Sequence, residues 1–149
     1  MELRITFPGG KRVDAELRGR VIATDQPKDS GGGGSAPEPF ALFAASIGTC
    51  AGLYALSFCQ SRGLPTEGLA LRENLRFDDK HRLLAVELEV ELPTGFPEKY
   101  REPLIRAAEG CAVKKAIQAV PQFTVRTVPA PTVPAPSVPA PAVAKVITT

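Results

Sequence analysis

The chain contains three cysteines, and their thiols are the side chains best suited to chemistry in this sequence. Cys50 and Cys59 fall nine residues apart in one predicted helix, which separates them by roughly 13–14 Å along its axis. A disulfide needs Cα atoms within about 7 Å of each other, so these two cannot pair while the helix exists. We therefore interpret Cys59 as a small buried hydrophobe near the helix end.

Cys111 lies in a second predicted helix, over residues 97–119, where it shares one face with Leu104 and Ala108. This spacing turns the thiol toward the core, where the Cys50 helix is also expected. Two cysteines on separate helices that meet can form a reversible disulfide. Two buried cysteines can equally be inert hydrophobes, and the spacing leaves both interpretations open.

His81 is the only histidine, and it falls in a polar turn between two predicted strands. A general base would need a cleft and a nucleophile beside it, so we predict a surface position for this side chain. One histidine supports neither a Ser-His-Asp triad nor a zinc site of the common kinds. The sequence therefore predicts no metal site.

Length, composition and charge limit the classes of protein to which this chain can belong. The 149 residues suit one domain, and 44% hydrophobic with 23% charged residues indicates a globular chain. The net charge is +2 and the basic residues are scattered, so we expect no nucleic-acid partner. The N-terminus lacks the apolar core of a signal peptide, and three cysteines are too few for a disulfide framework. We therefore expect a cytoplasmic location.

The elements that must position the thiols follow an α+β order. Alternating apolar residues predict a hairpin over residues 3–17 and a third strand at 21–24. The loop 25–35 contains four consecutive glycines and is predicted to be a mobile connection. After the Cys50 helix, residues 69–77 and 86–92 predict a second hairpin, with arginines and glutamates paired across its outer face.

The Cys50 helix, residues 40–59, contains no charged residue. Its length would suit a membrane span, but it includes hydroxyl side chains, lacks a basic flank and is surrounded by amphipathic strands. These features favour the buried centre of a protein without a membrane partner. Pro39 marks the helix start.

The segment 128–149 repeats a Val-Pro-Ala-Pro pattern, which excludes helix and sheet and favours polyproline II. We interpret it as a solvated tail, with a docking ligand for a proline-recognising module as the alternative. The folded domain is therefore predicted over residues 1–127.

Three features together resemble the OsmC/Ohr family, the osmotically inducible and organic hydroperoxide resistance proteins. These are Pro39 with Cys50 eleven residues later, the Asp25-Gln26-Pro27 stretch before the glycines, and the Gly110-Cys111-Ala112-Val113 motif. The resemblance covers nearly the whole chain before the tail. It implies antiparallel sheets around a long, central, buried helix that carries Cys50, and an intertwined homodimer with active sites at the interface.

The resemblance also implies a reaction. Cys50 would attack an organic hydroperoxide, and Cys111 would resolve the resulting sulfenic acid as a disulfide. A thiol or dithiol reductant is implied, and no cofactor. In this family an arginine held by a glutamate activates the first cysteine. Arg18 and Arg20 lie where the arginine is expected, whereas Phe40 occupies the position of the glutamate.

Phe40 keeps a second function open. A non-catalytic dimer could bind a hydrophobic small molecule in a cleft around Phe40, Phe43 and Tyr54 instead of reducing a hydroperoxide. A scaffold that docks through the tail is a third alternative, which rests on composition alone.

Overall fold

The computed structural model describes residues 1–129, so most of the predicted tail lies outside the described residues, and its role and the boundary at residue 127 stay predictions. The described part contains two antiparallel sheets and three α-helices, which confirms the α+β class. The elements are β1 (Arg4–Gly9), β2 (Arg12–Leu17), β3 (Arg20–Ile22), α1 (Pro39–Gln60), β4 (Ala70–Phe77), β5 (Leu83–Glu91), α2 (Arg101–Glu109) and α3 (Ala112–Gln118).

The first sheet, β1-β2-β3, has one apolar face. Its register pairs Ile5 with Ala15 and Ala15 with Ile22, so these three side chains lie on the same side. Ile5 and Ile22 are nevertheless 50% and 38% exposed, and Phe7 on the same face is 78% exposed. The three strands contact one another and make few contacts with the other described elements. The apolar face is therefore uncovered within a single chain.

Helix α1 begins at Pro39, which occupies the first turn, where its missing N–H costs no hydrogen bond. One face is buried against α2 and β4, through Ile47, Ala51, Ala55, Phe58 and Cys59. The opposite face stays exposed in one chain, including Leu53 at 61%. By length and composition α1 is the one helix in residues 1–129 that could cross a membrane.

The second sheet is the β4–β5 hairpin, whose register runs from Ala70↔Glu91 to Arg76↔Ala85. Arg72 pairs with Glu91 at 2.5 Å across the outer face, as the sequence predicts. The inner face covers the core between α1 and α2, formed by Ala55, Phe58, Cys59, Phe96, Leu104 and Ala108. This core holds α2, and with it the start of α3, against α1.

The prediction of one helix over residues 97–119 was wrong. The segment forms two helices, because the backbone of Cys111 leaves the helical conformation between them, with φ of −44° and ψ of 119°. A Cβ at Gly110 would lie 2.9 Å from the Ala107 carbonyl oxygen and 3.3 Å from Tyr54. Glycine at this position therefore lets the turn between α2 and α3 approach α1 closely.

The glycine-rich loop 25–35 is organised by hydrogen bonds, unlike the mobile connection expected. The Asp25 carboxylate, buried at 2% exposure, accepts hydrogen bonds from the backbone N–H groups of Gln26, Gly33 and Ser35 and from the Ser35 hydroxyl. A Cβ at Gly32 would lie 1.9 Å from the Gln26 carbonyl oxygen, so only glycine fits there. The loop therefore has a defined path between β3 and α1.

Candidate active site

Cys50 and Cys111 meet where α1 passes the turn between α2 and α3. The Cys111 sulfur lies 3.8 Å from the Ile47 carbonyl oxygen of α1 and accepts a hydrogen bond from the Lys114 N–H at 3.4 Å. Cys50, one helical turn after Ile47, lies within hydrogen-bond reach of the Cys111 side chain. Both are free thiols, Cys50 partly buried and Cys111 1% exposed. The structure thus brings the two predicted residues together.

The first turn of α3 surrounds the Cys50 sulfur with hydrogen-bond donors. The backbone N–H of Val113 lowers the pKa of the Cys50 thiol most, followed by the Cys111 side chain, and the N–H of Ala112 adds to the effect. Burial acts in the opposite direction and is outweighed. These N–H groups are available because the first residues of a helix have no intrahelical acceptor. The site therefore favours the Cys50 thiolate, the reactive form of cysteine.

Cys59 has the surroundings expected of an inert thiol. It is fully buried, and burial raises the pKa of its thiol. It lies nine residues after Cys50 in the same helix, among the core side chains. Cys59 is therefore an internal reference for the behaviour of an unactivated cysteine in this chain.

The two candidate arginines lie on the first sheet. Arg18 occupies the turn between β2 and β3 with φ of 50°, and Arg20 begins β3; both are exposed. Within one chain, no charged side chain of the described residues contributes to the lowered pKa of Cys50. The β2–β3 register places Arg20 opposite Leu17, on the same face as Ile22 and Ile5. Arg20 thus borders the uncovered apolar face.

The predicted ligand-binding aromatics divide into two places. Phe40 contacts Phe43, with ring centroids 5.5 Å apart, and Phe77 of β4, with centroids 5.8 Å apart. Tyr54 lies against Gly110, and the 14 residues between it and Phe40 correspond to about 21 Å of helix. Helical spacing puts Phe43 and Tyr54 on the Cys50 face of α1, on either side of the thiol. Phe43 and Tyr54 therefore lie on either side of Cys50 along the helix, and Tyr54 lies apart from the Phe40–Phe43 pair.

A cavity of about 520 Å³ borders Cys111. No residue of α1 lines this cavity, so Cys50 does not border it. We call it the Cys111 cavity; its apolar walls come from β5 and α2 and include Val86, Leu88, Val90, Leu104, Ile105 and Ala108. The cavity therefore gives access to Cys111 and not to Cys50.

Glu73 is a half-buried acid that sequence reasoning missed. It points inward from β4 between Leu71 and Leu75, and its Oε1 atom is buried with no hydrogen-bond partner in residues 1–129. A Cβ at Gly48 would lie 2.5 Å from Oε2, so glycine admits the carboxyl against α1. Burial raises the pKa of Glu73. The sequence signal was a glutamate at a position of β4 where the alternating pattern otherwise places leucines on the inner face.

His81 lies at the tip of the β4–β5 hairpin with φ of 59°, exposed, as predicted from the sequence. Across residues 1–129, no group of three or more His, Cys, Asp or Glu side chains is arranged to hold a metal ion.

Comparison with known proteins adds the family. A family model described as OsmC-like protein matches residues 32–126. No curated protein matches the chain. The family match includes α1, α2 and α3, and so covers both thiols.

Solved structures share the fold. A Psychrobacter arcticus protein assigned to osmotic stress induction and detoxification is 23% identical, with a TM-score of 0.65 over 76% of this chain and 85% of that one. An OsmC-like protein from Mycoplasma pneumoniae is 14% identical, with a TM-score of 0.65 over 80% and 87%. An organic hydroperoxide resistance protein OsmC from Legionella pneumophila is 21% identical, with a TM-score of 0.51 over 79% and 90%. These similarities establish the fold.

Proposed function

The chain belongs to the OsmC-like protein family, and we propose that it is a thiol-dependent peroxidase that reduces organic hydroperoxides through Cys50 and Cys111. Family membership indicates a role in redox or stress responses. The observation that supports the specific reaction is the proximity of the two thiols, close enough for the Cys111 side chain and the first turn of α3 to lower the pKa of Cys50.

The proposed reaction starts from the Cys50 thiolate. Its sulfur attacks the hydroperoxide, the O–O bond breaks, an alcohol leaves, and Cys50 becomes a sulfenic acid. The Cys111 thiol then attacks the Cys50 sulfur, water leaves, and a disulfide forms. A thiol or dithiol reductant returns both cysteines to the reduced state. Cys111 is the cysteine close enough to Cys50 to lower its pKa, so we propose it as the resolving thiol.

We propose that the protein works as an intertwined homodimer. The first sheet exposes Ile5, Phe7 and Ile22 on one face, and α1 exposes Leu53 and Tyr54. Apolar surface of this extent is typical of a face that a partner covers. A second copy could supply that cover for both elements. Arg20, on the same face of the sheet as Ile22, would then enter the interface and is the stronger of the two candidate arginines.

The substrate class follows from the side chains around Cys50. Phe43 and Tyr54, which flank the thiol, are 37% and 39% exposed and present aromatic surface to an approaching molecule. Apolar surface of this kind favours an alkyl or aryl hydroperoxide over hydrogen peroxide. We propose that the reaction takes place in the cytoplasm, where reducing thiols are available.

The test is a titration of the reduced protein with cumene hydroperoxide, with free thiols counted and disulfides mapped by peptide mass spectrometry. We expect rapid loss of two thiols per chain and a Cys50–Cys111 link. Cys50→Ser should abolish the reaction, and Cys111→Ser should leave Cys50 oxidised without a disulfide. Cys59→Ala is the matched control, because Cys59 is buried away from the site. Full activity in Cys50→Ser would contradict the proposal.

A second candidate function is a dimer that binds an apolar ligand without catalysis. The exposed Phe40–Phe43–Phe77 cluster favours it, as does the lack of a contribution from any cation of the described chain to the Cys50 pKa. Native mass spectrometry of the reduced protein tests it. Retention of an apolar ligand by a protein whose thiols resist hydroperoxide would support this function over the first.

A further inference from the structure

We propose that the reductant of the oxidised protein enters through the Cys111 cavity and attacks Cys111, so that Cys50 is the leaving thiolate. This inference rests on the proposed function, since it needs the Cys50–Cys111 disulfide. It adds the sulfur that is attacked and the route by which a small dithiol reaches it. Hydroperoxide and reductant would thereby reach the thiol pair by different routes.

The positions of the two thiols support separate routes. Cys50 is partly exposed on the face of α1 flanked by Phe43 and Tyr54. Cys111 is 1% exposed at the surface and borders a cavity that no α1 residue lines. A thiolate attacks a disulfide sulfur from the side opposite the leaving sulfur. Residues of β5 and α2 line the cavity together with Cys111, and no residue of α1 does, so a thiol in the cavity meets Cys111 rather than Cys50.

The leaving group supports attack on Cys111 as well. In thiol–disulfide exchange, the thiol of lower pKa leaves faster. The N–H groups of Val113 and Ala112 lower the pKa of Cys50, so they stabilise the thiolate that forms when the bond to Cys111 breaks. The same backbone groups that activate Cys50 toward a hydroperoxide therefore also favour its release from the disulfide.

The size and lining of the cavity define the reductant. A volume of about 520 Å³ accommodates a small molecule. Its apolar walls include Val86, Leu88 and Val90 on the sheet side and Leu104, Ile105 and Ala108 on the helix side. Four charged side chains also line the cavity, those of Glu89, Arg101, Glu109 and Lys114. The apolar walls accommodate the aliphatic body of a small dithiol.

The exchange balances as two displacements. The reductant thiolate forms a bond to Cys111 Sγ, the Cys50–Cys111 bond breaks, and its electron pair remains on Cys50 as thiolate. The second thiol of the reductant then attacks its own sulfur in the mixed disulfide. Cys111 leaves as thiolate and takes up a proton, and the reductant departs as a cyclic disulfide. Two electrons have then passed from the dithiol to the protein.

The first experiment traps the mixed disulfide. The full-length protein, oxidised with one equivalent of cumene hydroperoxide, reacts briefly with 2-mercaptoethanol, is quenched in acid with N-ethylmaleimide, and is mapped by peptide mass spectrometry. We expect the mercaptoethanol adduct on Cys111 and maleimide on Cys50. An adduct on Cys50 would overturn this inference and leave the proposed function intact. Failure to form any Cys50–Cys111 disulfide would overturn both.

The second experiment narrows the cavity. Ile105, at 53% exposure, can accept a larger side chain without opening the core. In Ile105→Trp we expect reduction of the disulfide by dithiothreitol to slow about tenfold, which corresponds to about 1.4 kcal/mol in the barrier, while oxidation by hydroperoxide keeps its rate. Val125→Trp, at a residue 97% exposed and outside the cavity, is the control. An unchanged reduction rate in Ile105→Trp, or equal slowing of both half-reactions, would exclude this route.

Discussion

Cys50 owes its lowered pKa to neutral donors rather than to a charge of its own chain. Hydrogen bonds to the ionised form stabilise it, and the Val113 and Ala112 N–H groups with the Cys111 side chain outweigh the burial that opposes them. The sequence showed the two thiols but not these donors, because backbone N–H groups leave no trace in residue types. Their position depends on where α3 begins.

The contribution of the Cys111 side chain to the Cys50 pKa can be separated from that of the backbone. Cys111→Ala removes one of the donors, so we expect the pKa of Cys50 to rise. Cys111→Ser keeps a hydroxyl donor at the same place and should retain most of the lowering. The pH dependence of iodoacetamide alkylation at Cys50 measures both. If the Cys50 alkylation profile of Cys111→Ala equals that of wild type, the Cys111 side chain contributes nothing to the Cys50 pKa.

Glu73 predicts a stability change that depends on pH. Because burial raises its pKa above the unfolded value of 4.5, the folded state holds the proton more tightly, and stability falls as pH rises from about 4 through the folded pKa. We expect Glu73→Gln to be more stable than wild type at pH 7 and similar to it near pH 4. Urea unfolding across this range measures the difference. Glu87→Gln, at an exposed position of β5, controls for lost charge.

At the scale of elements, the position at which α3 begins determines which backbone N–H groups face Cys50. Cys111 has a non-helical backbone, as the residue before a proline requires, and Ala112 is the first helical residue of α3. Proline is tolerated at this first helical position. We expect Ala112→Pro to keep the helices, as measured by far-ultraviolet circular dichroism, and to raise the pKa of Cys50 by removing one N–H donor. Val113→Ala keeps its N–H and should leave the Cys50 pKa unchanged. If the Cys50 pKa in Ala112→Pro equals that of wild type, the Ala112 N–H does not contribute to lowering it.

The Asp25 loop gives a second prediction at this scale. Its hydrogen bonds with Ser35, and with the Gln26 and Gly33 N–H groups, lower the pKa of Asp25 to about 2 from 3.8. The carboxylate therefore stabilises the fold above about pH 4, and this contribution is lost as pH falls through 2. We expect Asp25→Asn to lower the melting temperature at pH 7 and to weaken its dependence on acid pH. Asp29→Asn, exposed in the same loop, should change neither.

The strands and α1 were predictable because their apolar periodicity is local. The β4–β5 register follows from alternation, and the start of α1 from Pro39. The break between α2 and α3 was not predicted, because Leu104, Ala108 and Cys111 keep helical spacing across it and all three are buried. The order in the Asp25 loop depends on contacts between residues up to ten positions apart, which composition does not encode.

At the scale of the molecule, a single chain leaves two apolar surfaces without cover. The first sheet makes few contacts with the rest of its own chain and exposes Ile5, Phe7 and Ile22, and α1 exposes the side chains around Cys50. The chain is large enough to bury an ordinary core, yet its described core lies between α1, α2 and the β4–β5 hairpin and does not include the first sheet. These exposed apolar surfaces are the strongest structural argument that a second copy of the chain packs against them.

Neighbouring residues of β3 test the homodimer, because they lie on opposite faces of the sheet. Ile22 shares the apolar face with Ala15, whereas Val21 pairs with Glu16 on the other face. We expect Ile22→Glu to dissociate the dimer, since an unpaired charge buried in an interface costs about 3–5 kcal/mol. Val21→Glu, at a residue that is 61% exposed, should leave the assembly intact. Sedimentation equilibrium measures both. A dimer that survives Ile22→Glu would mean that this face of the first sheet lies outside the interface, and Arg20 would then lose its route to the Cys50 of the other copy.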